Sequence, residues 1–250
     1  MNFSLKNLTN YNIRTKDGEK AEIVDLLFDE EQWRIRYVQV DLETLNKDKK
    51  VLIPRSIMVG VPRKEGTLQL DVEKALIANG PTLEQHAPVS LRFQEIINKN
   101  YGVLNYWDEP FMATGHVGMA SLIPTVLKAQ NREIEEEEIK TLLRSFNEVL
   151  GYQIRAKDGA LGHVEDLIVR EEDWQVAYAV VDTSNWLPWS KKVLIPLSYL
   201  QHVSYVDEEL SINMDKDAIK HAPEYDPSAL IDHSVEQRTH SFYEDLVKLK

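Results

Sequence analysis

Four aspartates that recur at equivalent places in the two halves of the chain are the residues best suited to acid–base chemistry. They form two equivalent sets, Asp25 with Asp166 and Asp41 with Asp182. Two carboxylates held close together share a proton, so that one serves as an acid and the other as a base. The alternative is structural, with each carboxylate accepting a hydrogen bond from a nearby backbone N–H. Their recurrence together with a strand motif favours the structural role, and we assign no catalytic residue.

The seven histidines do not form a pattern typical of a metal site. Zinc ligands need close spacing or carboxylates that converge with them. Only His233 and His240 share a predicted helix, and the others are dispersed: His86, His116, His163, His202 and His221. The segment "GHVGMAS" (115–121) lacks the glycine pattern and the Lys-Ser/Thr pair of a phosphate-binding loop. We therefore predict no metal, no cofactor and no enzymatic activity.

The composition narrows the functional class further. The chain has 250 residues, a net charge of −12 and no cysteine. The lack of cysteine excludes disulfides and thiolate sites and fits a reducing compartment. A negative charge without a basic stripe disfavours direct binding of nucleic acid. The N-terminal "MNFSLKNLTNYNIR" does not resemble a secretory signal, and the apolar "MASLIPTVL" (119–127) is too short to span a bilayer. We expect a cytoplasmic protein without membrane insertion.

An internal repeat sets the architecture that positions these residues. Residues 11–41 align with residues 152–182 at an offset of 141, and 14 of the 31 aligned positions are identical. After Asp41 and Asp182 the offset becomes 142, and "KVLIPRSIM" then aligns with "KVLIPLSYL". Self-similarity at a fixed offset is the signature of a duplicated structural unit. We therefore interpret "VLIP" as a buried strand that is used twice, and not as a duplicated catalytic motif.

Each copy has the pattern of several short strands with short flanking helices. Asp-Gly pairs at 17–18 and 158–159 predict tight turns, and "EIVDLLF" and "HVEDLIV" have the β-branched and apolar content of strands. "WRIRYVQVD", "WQVAYAVVD" and both "VLIP" segments predict further strands. Apolar residues at helical spacing predict helices at 89–102 and 228–250. The expected class is mainly β with flanking helices (α+β), made of two small β-barrels related by a pseudo-twofold axis.

The second copy resembles the PRC-barrel family. The likeness lies in "LRSFNEVLGYQIRAKDGALGHVEDLIV" (143–169), "DTSNWLPWSKKVLIP" (182–196) and "IKHAPEYDP" (219–227). The first copy is similar more loosely across 5–81, with Ala21 in place of Gly162 and without the "NWLPW" loop. The tandem arrangement resembles that of the two-repeat bacterial members.

This resemblance implies a small barrel that serves as an interaction or adaptor module. The family includes the cytoplasmic domain of the photosynthetic reaction-centre H subunit and part of a ribosome maturation factor. We therefore expect a non-enzymatic interaction protein with a protein partner. The alternatives are an accessory factor of photosystem or ribosome assembly, or an enzyme with a site between the barrels. A homodimer is a further alternative, although the two copies can form the same pair within one chain.

The predicted organisation has four parts: a first repeat at 1–81, a linker with a helix and an irregular segment at 82–142, a second repeat at 143–227 and a C-terminal helix at 228–250. The long strand of the second copy is expected to be more buried than that of the first, because Ala177 and Val180 replace Arg36 and Gln39.

The loop of the second copy offers the candidate partner contact. Trp186 and Trp189 lie beside Pro188 in a segment whose counterpart in the first copy has no aromatic residue. Rigid aromatic side chains are enriched among the residues that dominate binding energy. The alternative is that both indoles pack onto the 103–132 segment or the C-terminal helix, as large aromatic side chains usually do.

Overall fold

The computed structural model describes residues 2–18, 20–41, 50–59, 66–82, 89–107, 143–183, 191–229 and 231–248. Within these residues the chain is mainly β, with two seven-stranded sheets and a few helices. This confirms the predicted α+β class. Among the described helices, none is both long enough and apolar enough to cross a membrane.

Within its described residues, the first half of the chain has seven strands, three helices and one 3-10 turn. The strands are β1 (Asn2–Ser4), β2 (Asn12–Arg14), β3 (Lys20–Asp29), β4 (Ile35–Asp41), β5 (Lys50–Pro54), β6 (Met58–Val59) and β7 (Thr67–Leu70). The helices are α1 (Leu5–Leu8), α2 (Lys74–Ala78) and α3 (Leu91–Tyr101), and the 3-10 turn is Arg55–Ile57.

The second half repeats this series of elements. Its strands are β8 (Leu143–Ser145), β9 (Gln153–Ala156), β10 (Gly159–Arg170), β11 (Val176–Asp182), β12 (Lys192–Pro196), β13 (Leu200–Ser204) and β14 (Glu209–Ile212). Its helices are α4 (Phe146–Val149), α5 (Lys216–Lys220) and α6 (His233–Lys248), with a 3-10 turn at Leu197–Tyr199.

The two sheets have the same strand order. It runs β5-β4-β3-β2-β7-β6 in one sheet and β12-β11-β10-β9-β14-β13 in the other. Most pairs are antiparallel, and the parallel pairs, β2 with β7 and β9 with β14, are equivalent. Among the described residues the pairing runs as an open path from one edge strand to the other. The duplication is therefore visible in the topology, whereas closure of each sheet into a barrel stays a prediction.

The first strand of each copy lies in the sheet of the other copy. β1 pairs with β10, with Ser4 opposite Ile168, and β8 pairs with β3, with Ser145 opposite Leu27. Ser4 and Ser145 are themselves equivalent at the offset of 141. The two copies are thus joined by a reciprocal exchange of short N-terminal strands, which we call the arms (Asn2–Ser4 and Leu143–Ser145).

A second reciprocal contact lies where β4 and β11 begin. The N–H of Ile35 donates to the carbonyl of Trp174 at 2.9 Å, and the N–H of Val176 donates to the carbonyl of Trp33 at 2.7 Å. Both tryptophans have a left-handed backbone, with φ of 54° and 58°. A bulky residue adopts this conformation rarely, so the crossing requires the same unusual geometry on both sides. Such paired contacts are those that a pseudo-twofold axis generates.

Asp-Gly turns close the first hairpin of each copy. Gly18 and Gly159 have φ of 88° and 123°, a region that glycine enters without steric cost. The Asp17 carboxylate accepts the first N–H of α2 at 3.1 Å, and the Asp158 carboxylate accepts that of α5 at 2.8 Å. The recurring turn aspartates therefore attach a short helix to each hairpin.

One helix contacts each sheet and occupies the same place in both copies. The hydroxyl of Tyr37 on β4 donates to Asn98 Oδ1 on α3 at 3.0 Å. In the second copy the hydroxyl of Tyr178 lies 2.8 Å from His240 Nε2 on α6. Asn98 and His240 differ by 142, the offset of the later part of each repeat. The two helices are therefore equivalent parts of the duplicated unit.

The expected difference in burial between β4 and β11 is wrong. The two strands have the same burial pattern, and Arg36 and Ala177 are both partly buried. The Arg36 side chain is only 12% exposed because its Nε donates to Asp29 at 2.9 Å and its guanidinium lies 4.0 Å from the ring centre of Tyr106. Cover from the segment after α3 thus buries an arginine as fully as an alanine.

Candidate binding cleft between the two repeats

Asp166 fixes the first arm to the sheet of the second copy. Its carboxylate accepts a hydrogen bond from the Ser4 hydroxyl, from the Lys6 N–H at 3.0 Å and from the Leu167 N–H at 2.7 Å. Burial raises its pKa, and these three hydrogen bonds oppose the rise. The arrangement matches the structural interpretation, because the carboxylate joins two segments that are far apart in sequence.

Asp25 makes the equivalent contacts with the second arm. It accepts from the Ser145 hydroxyl, from the Asn147 N–H at 3.2 Å and from the Leu26 N–H at 2.8 Å. Burial is again the largest cause of its raised pKa. We call these two sets of contacts the clasps: Asp166 with Ser4, and Asp25 with Ser145.

The second set of recurring aspartates does not complete an acid–base pair with the first. Asp41 lies opposite Glu22 in the ladder between β3 and β4, whereas Asp25 lies opposite Gln39. The two aspartates are therefore not direct cross-strand neighbours. The second copy repeats this register, with Asp182 opposite His163 and Asp166 opposite Val180.

Two of the histidines within the described residues have a polar contact close by in the fold. His240 bonds to the Tyr178 hydroxyl, and His221 Nδ1 lies 2.7 Å from the Asp217 carbonyl. In the part of the chain that the structure describes, no three histidine, aspartate or glutamate side chains gather as metal ligands. His86 and His116 lie outside the described residues.

The tryptophans of the sequence analysis have different outcomes. Trp33 and Trp174 are buried where the two copies cross, and Trp33 stacks on Phe28 with ring centres 4.8 Å apart. Trp186 and Trp189 lie outside the described residues, so the partner contact assigned to them stays a prediction. The glutamate run at 135–138 also lies outside them.

A cleft of about 210 Å³ lies between the two copies. The first copy contributes Arg34 just before β4 and Arg55 just after β5, and the second copy contributes Asp173. The segment that follows α3 adds Leu104 and Tyr106. Since residues of both copies line this space, it exists only in the paired arrangement. We refer to it as the inter-repeat cleft.

The arginines of the inter-repeat cleft differ in how their charge is balanced. Arg36 pairs closely with Asp29, as described above. Arg34 is 3.7 Å from Asp173, a long separation for an ion pair. Among the described residues, Arg55 has no acidic partner, and its guanidinium lies 4.9 Å from the ring centre of Trp174. Arg55 is therefore the cleft arginine without a described carboxylate at ion-pair distance, although Glu172 and Asp173 line the same cleft.

Three buried N–H groups in this region lack a hydrogen-bond acceptor within the described residues. They are the Nε atoms of Arg34 and Arg55 and the Nε1 atom of Trp174. Burial lowers the pKa of Arg55, and the charge of Arg34 lowers it further. Buried polar groups nearly always have a partner, so each exception in a native fold needs an explanation.

The cations belong to the first copy alone. At the equivalent positions the second copy has Gln175 for Arg34, Ala177 for Arg36 and Leu197 for Arg55. The second copy forms the same strands with these neutral residues. The fold of the repeat therefore does not require the arginines. Our sequence reasoning missed Arg34 and Arg55 as site residues, although Arg55 is the single difference between "VLIPRS" and "VLIPLS".

Comparison with known families matches both halves of the chain. The model of the PRC-barrel domain matches residues 1–77 and residues 143–219. Each matched segment includes one arm and ends within a short helix, α2 in the first copy and α5 in the second. A comparison with curated proteins finds none that matches.

Proposed function

The chain belongs to the PRC-barrel domain family, and we propose that it is a non-enzymatic interaction protein in which two repeats act as a single binding unit. PRC-barrel domains often serve as interaction modules. The observation that carries the proposal is the inter-repeat cleft, which is formed by both copies and has cationic side chains from only one of them.

The exchange of arms supports the idea that the two repeats work as one unit. Each arm adds a strand to the opposite sheet, and a buried aspartate clasps it there. Separation of the copies would expose two strand edges and leave two buried carboxylates without their serine partners. We infer that one chain contains the pair of barrels that single-repeat relatives would form as a homodimer.

The chemistry of the titratable groups also supports binding over catalysis. Asp25 and Asp166, the best sequence candidates for acid–base work, are each committed to three hydrogen bonds that hold an arm. The inter-repeat cleft instead combines three arginines and two acidic side chains with aromatic and apolar walls. Such surroundings select a ligand by charge and shape. We expect the protein to act in the cytoplasm, where a chain without cysteine suits the reducing conditions.

Affinity purification of the full chain from its native organism tests this proposal. We expect one protein to be enriched in near-equal amount with the chain. The purified partner should then bind the purified chain in a calorimetric titration with one-to-one stoichiometry. The absence of any stoichiometric partner, together with turnover of a substrate by the purified chain, would overturn the proposal.

A further inference from the structure

We propose that the inter-repeat cleft binds a carboxylate group carried on a short apolar stem, with Arg55 and Arg34 as the recognising side chains. This inference rests on the proposed binding function and specifies the chemistry of the group that is bound. The carboxylate belongs either to a small organic acid or to the C-terminus of a partner protein. The test below distinguishes these two sources.

The unsatisfied atoms determine the kind of group that fits. The buried atoms without partners in this region are all donors: two arginine Nε–H groups and one indole N–H. A ligand that supplies acceptor oxygens would satisfy the two arginines, which line the cleft, whereas a donor or a cation would not. A carboxylate has two oxygens in the geometry that matches an arginine guanidinium.

The balance of charge favours a monoanion. Arg36 is paired with Asp29, and Arg34 has a loose contact with Asp173. Arg55 remains as the one cleft arginine, among the described residues, without an acidic partner. Because Glu172 and Asp173 also line the cleft, a monoanion meets less repulsion there than a phosphate dianion would.

The walls of the cleft account for the apolar stem. The guanidinium of Arg55 lies over the ring of Trp174, which is buried beside the cleft. Pro54 and Leu104 line the same space with Tyr106. A volume of about 210 Å³ accommodates a small acid or the last residue of a chain, since liquid water occupies only about 30 Å³ per molecule.

The second copy supplies substitutions that the fold already accepts. Arg55→Leu and Arg34→Gln introduce the residues found at the equivalent positions 197 and 175. Arg55→Leu removes a partly buried charge without a carboxylate partner, so the thermal midpoint should stay the same or rise. The matched control is Arg14→Leu, because Arg14 is exposed on β2, away from the residues that line the cleft.

The test is a titration of the full chain with sodium benzoate, followed by NMR of the arginine Nε–H signals. We expect saturable shifts of the Arg55 and Arg34 signals. Arg55→Leu should weaken binding on the order of tenfold or more, because a hydrogen bond to a charged group is lost. Arg14→Leu should bind as the wild type does.

Two further titrations separate the sources of the carboxylate. A short peptide that ends in Phe with a free carboxylate is compared with its amidated form. Tighter binding of benzoate than of the free peptide assigns the site to a small acid, and the reverse order assigns it to a partner's C-terminus. The inference is overturned if neither carboxylate shifts the Arg55 signal, if inorganic phosphate binds as well, or if Arg14→Leu weakens binding as much as Arg55→Leu. Because the purification experiment uses the unaltered chain, the proposed function can hold when this inference fails.

Discussion

The clasps allow a prediction whose size follows from the contacts of two serines. Ser4 Oγ accepts the N–H of Asn7 at 3.0 Å, as the N-cap of α1, and donates to Asp166. Ser145 is the N-cap of α4 in the same way and donates to Asp25. We expect Ser4→Ala and Ser145→Ala to destabilise the fold by similar amounts, because the two clasps are equivalent.

The magnitude is the sum of two losses. Replacement of a serine N-cap by alanine costs about 1 kcal/mol. Loss of a hydrogen bond to a charged group costs about 1.5–3 kcal/mol. Because Asp166 and Asp25 each keep two backbone N–H donors, the lower part of the second range applies. Each variant should therefore lose about 3 kcal/mol of unfolding free energy.

Urea denaturation monitored by circular dichroism and tryptophan fluorescence measures this loss. With an m value of about 3 kcal/mol/M, a loss of 3 kcal/mol lowers the midpoint by about 1 M. Ser211→Ala is the control, because the Ser211 hydroxyl has only a long 3.4 Å contact with Glu209. A loss below about 1 kcal/mol in either clasp variant, or an equal loss in the control, would refute our account of how the arms are held.

Three further predictions concern other parts of the molecule. Burial raises the pKa values of Asp25 and Asp166, so the folded state binds protons more tightly than the unfolded state, and the free energy of unfolding falls as pH rises from about 4 through the raised pKa values. The change of the urea midpoint between pH 4 and 7 should include this fall in the wild type and lack it in an Asp25→Asn, Asp166→Asn double variant. Equal pH slopes in the two proteins would contradict the assignment. Trp174→Ala should cost about 3–5 kcal/mol of unfolding free energy. Because φ at this residue is 58°, Trp174→Gly should be about 1 kcal/mol more stable than Trp174→Ala in the same assay, and equal stabilities would argue against backbone strain. Replacement of Trp186 and Trp189 by alanine should abolish partner capture and leave the melting temperature unchanged if the loop is a binding site, whereas a lower melting temperature with unchanged capture would show that the two indoles pack.

The sequence predicted the parts of the fold that depend on local pattern. The Asp-Gly turns, the two "VLIP" strands and the helices α3 and α6 all follow from residue type and spacing, and the offset of 141 to 142 predicted the duplicated unit. The exchange of arms was not predictable in this way. Ser4 and Ser145 face equivalent aspartates in both sheets, so pairing within a copy and pairing between copies satisfy the same local pattern.

Differences in burial between the two copies were predicted less well where a side chain distant in sequence covers the residue. The sequence suggested a more exposed β4 because of Arg36, but Tyr106, some 70 residues later in the chain, covers that side chain. At Gly162 the difference between the two copies has a local cause. A Cβ at this glycine would lie 2.1 Å from the Asp182 carbonyl oxygen, next to a bulge between β9 and β10, whereas β2 and β3 pair evenly at Ala21. The substitution seen between the copies thus follows from a local change of register.

The two copies provide an internal reference for separating the needs of the fold from those of binding. Positions where both copies keep the same contact, such as Asp25 and Asp166, belong to the shared frame. Positions where one copy has a cation and the other has a neutral side chain, such as Arg55 and Leu197, are not needed for that frame. A buried charge lowers stability unless it is compensated. Arg55 carries this cost in one copy only, at a cleft that both copies build, and a bound anion would provide the missing compensation.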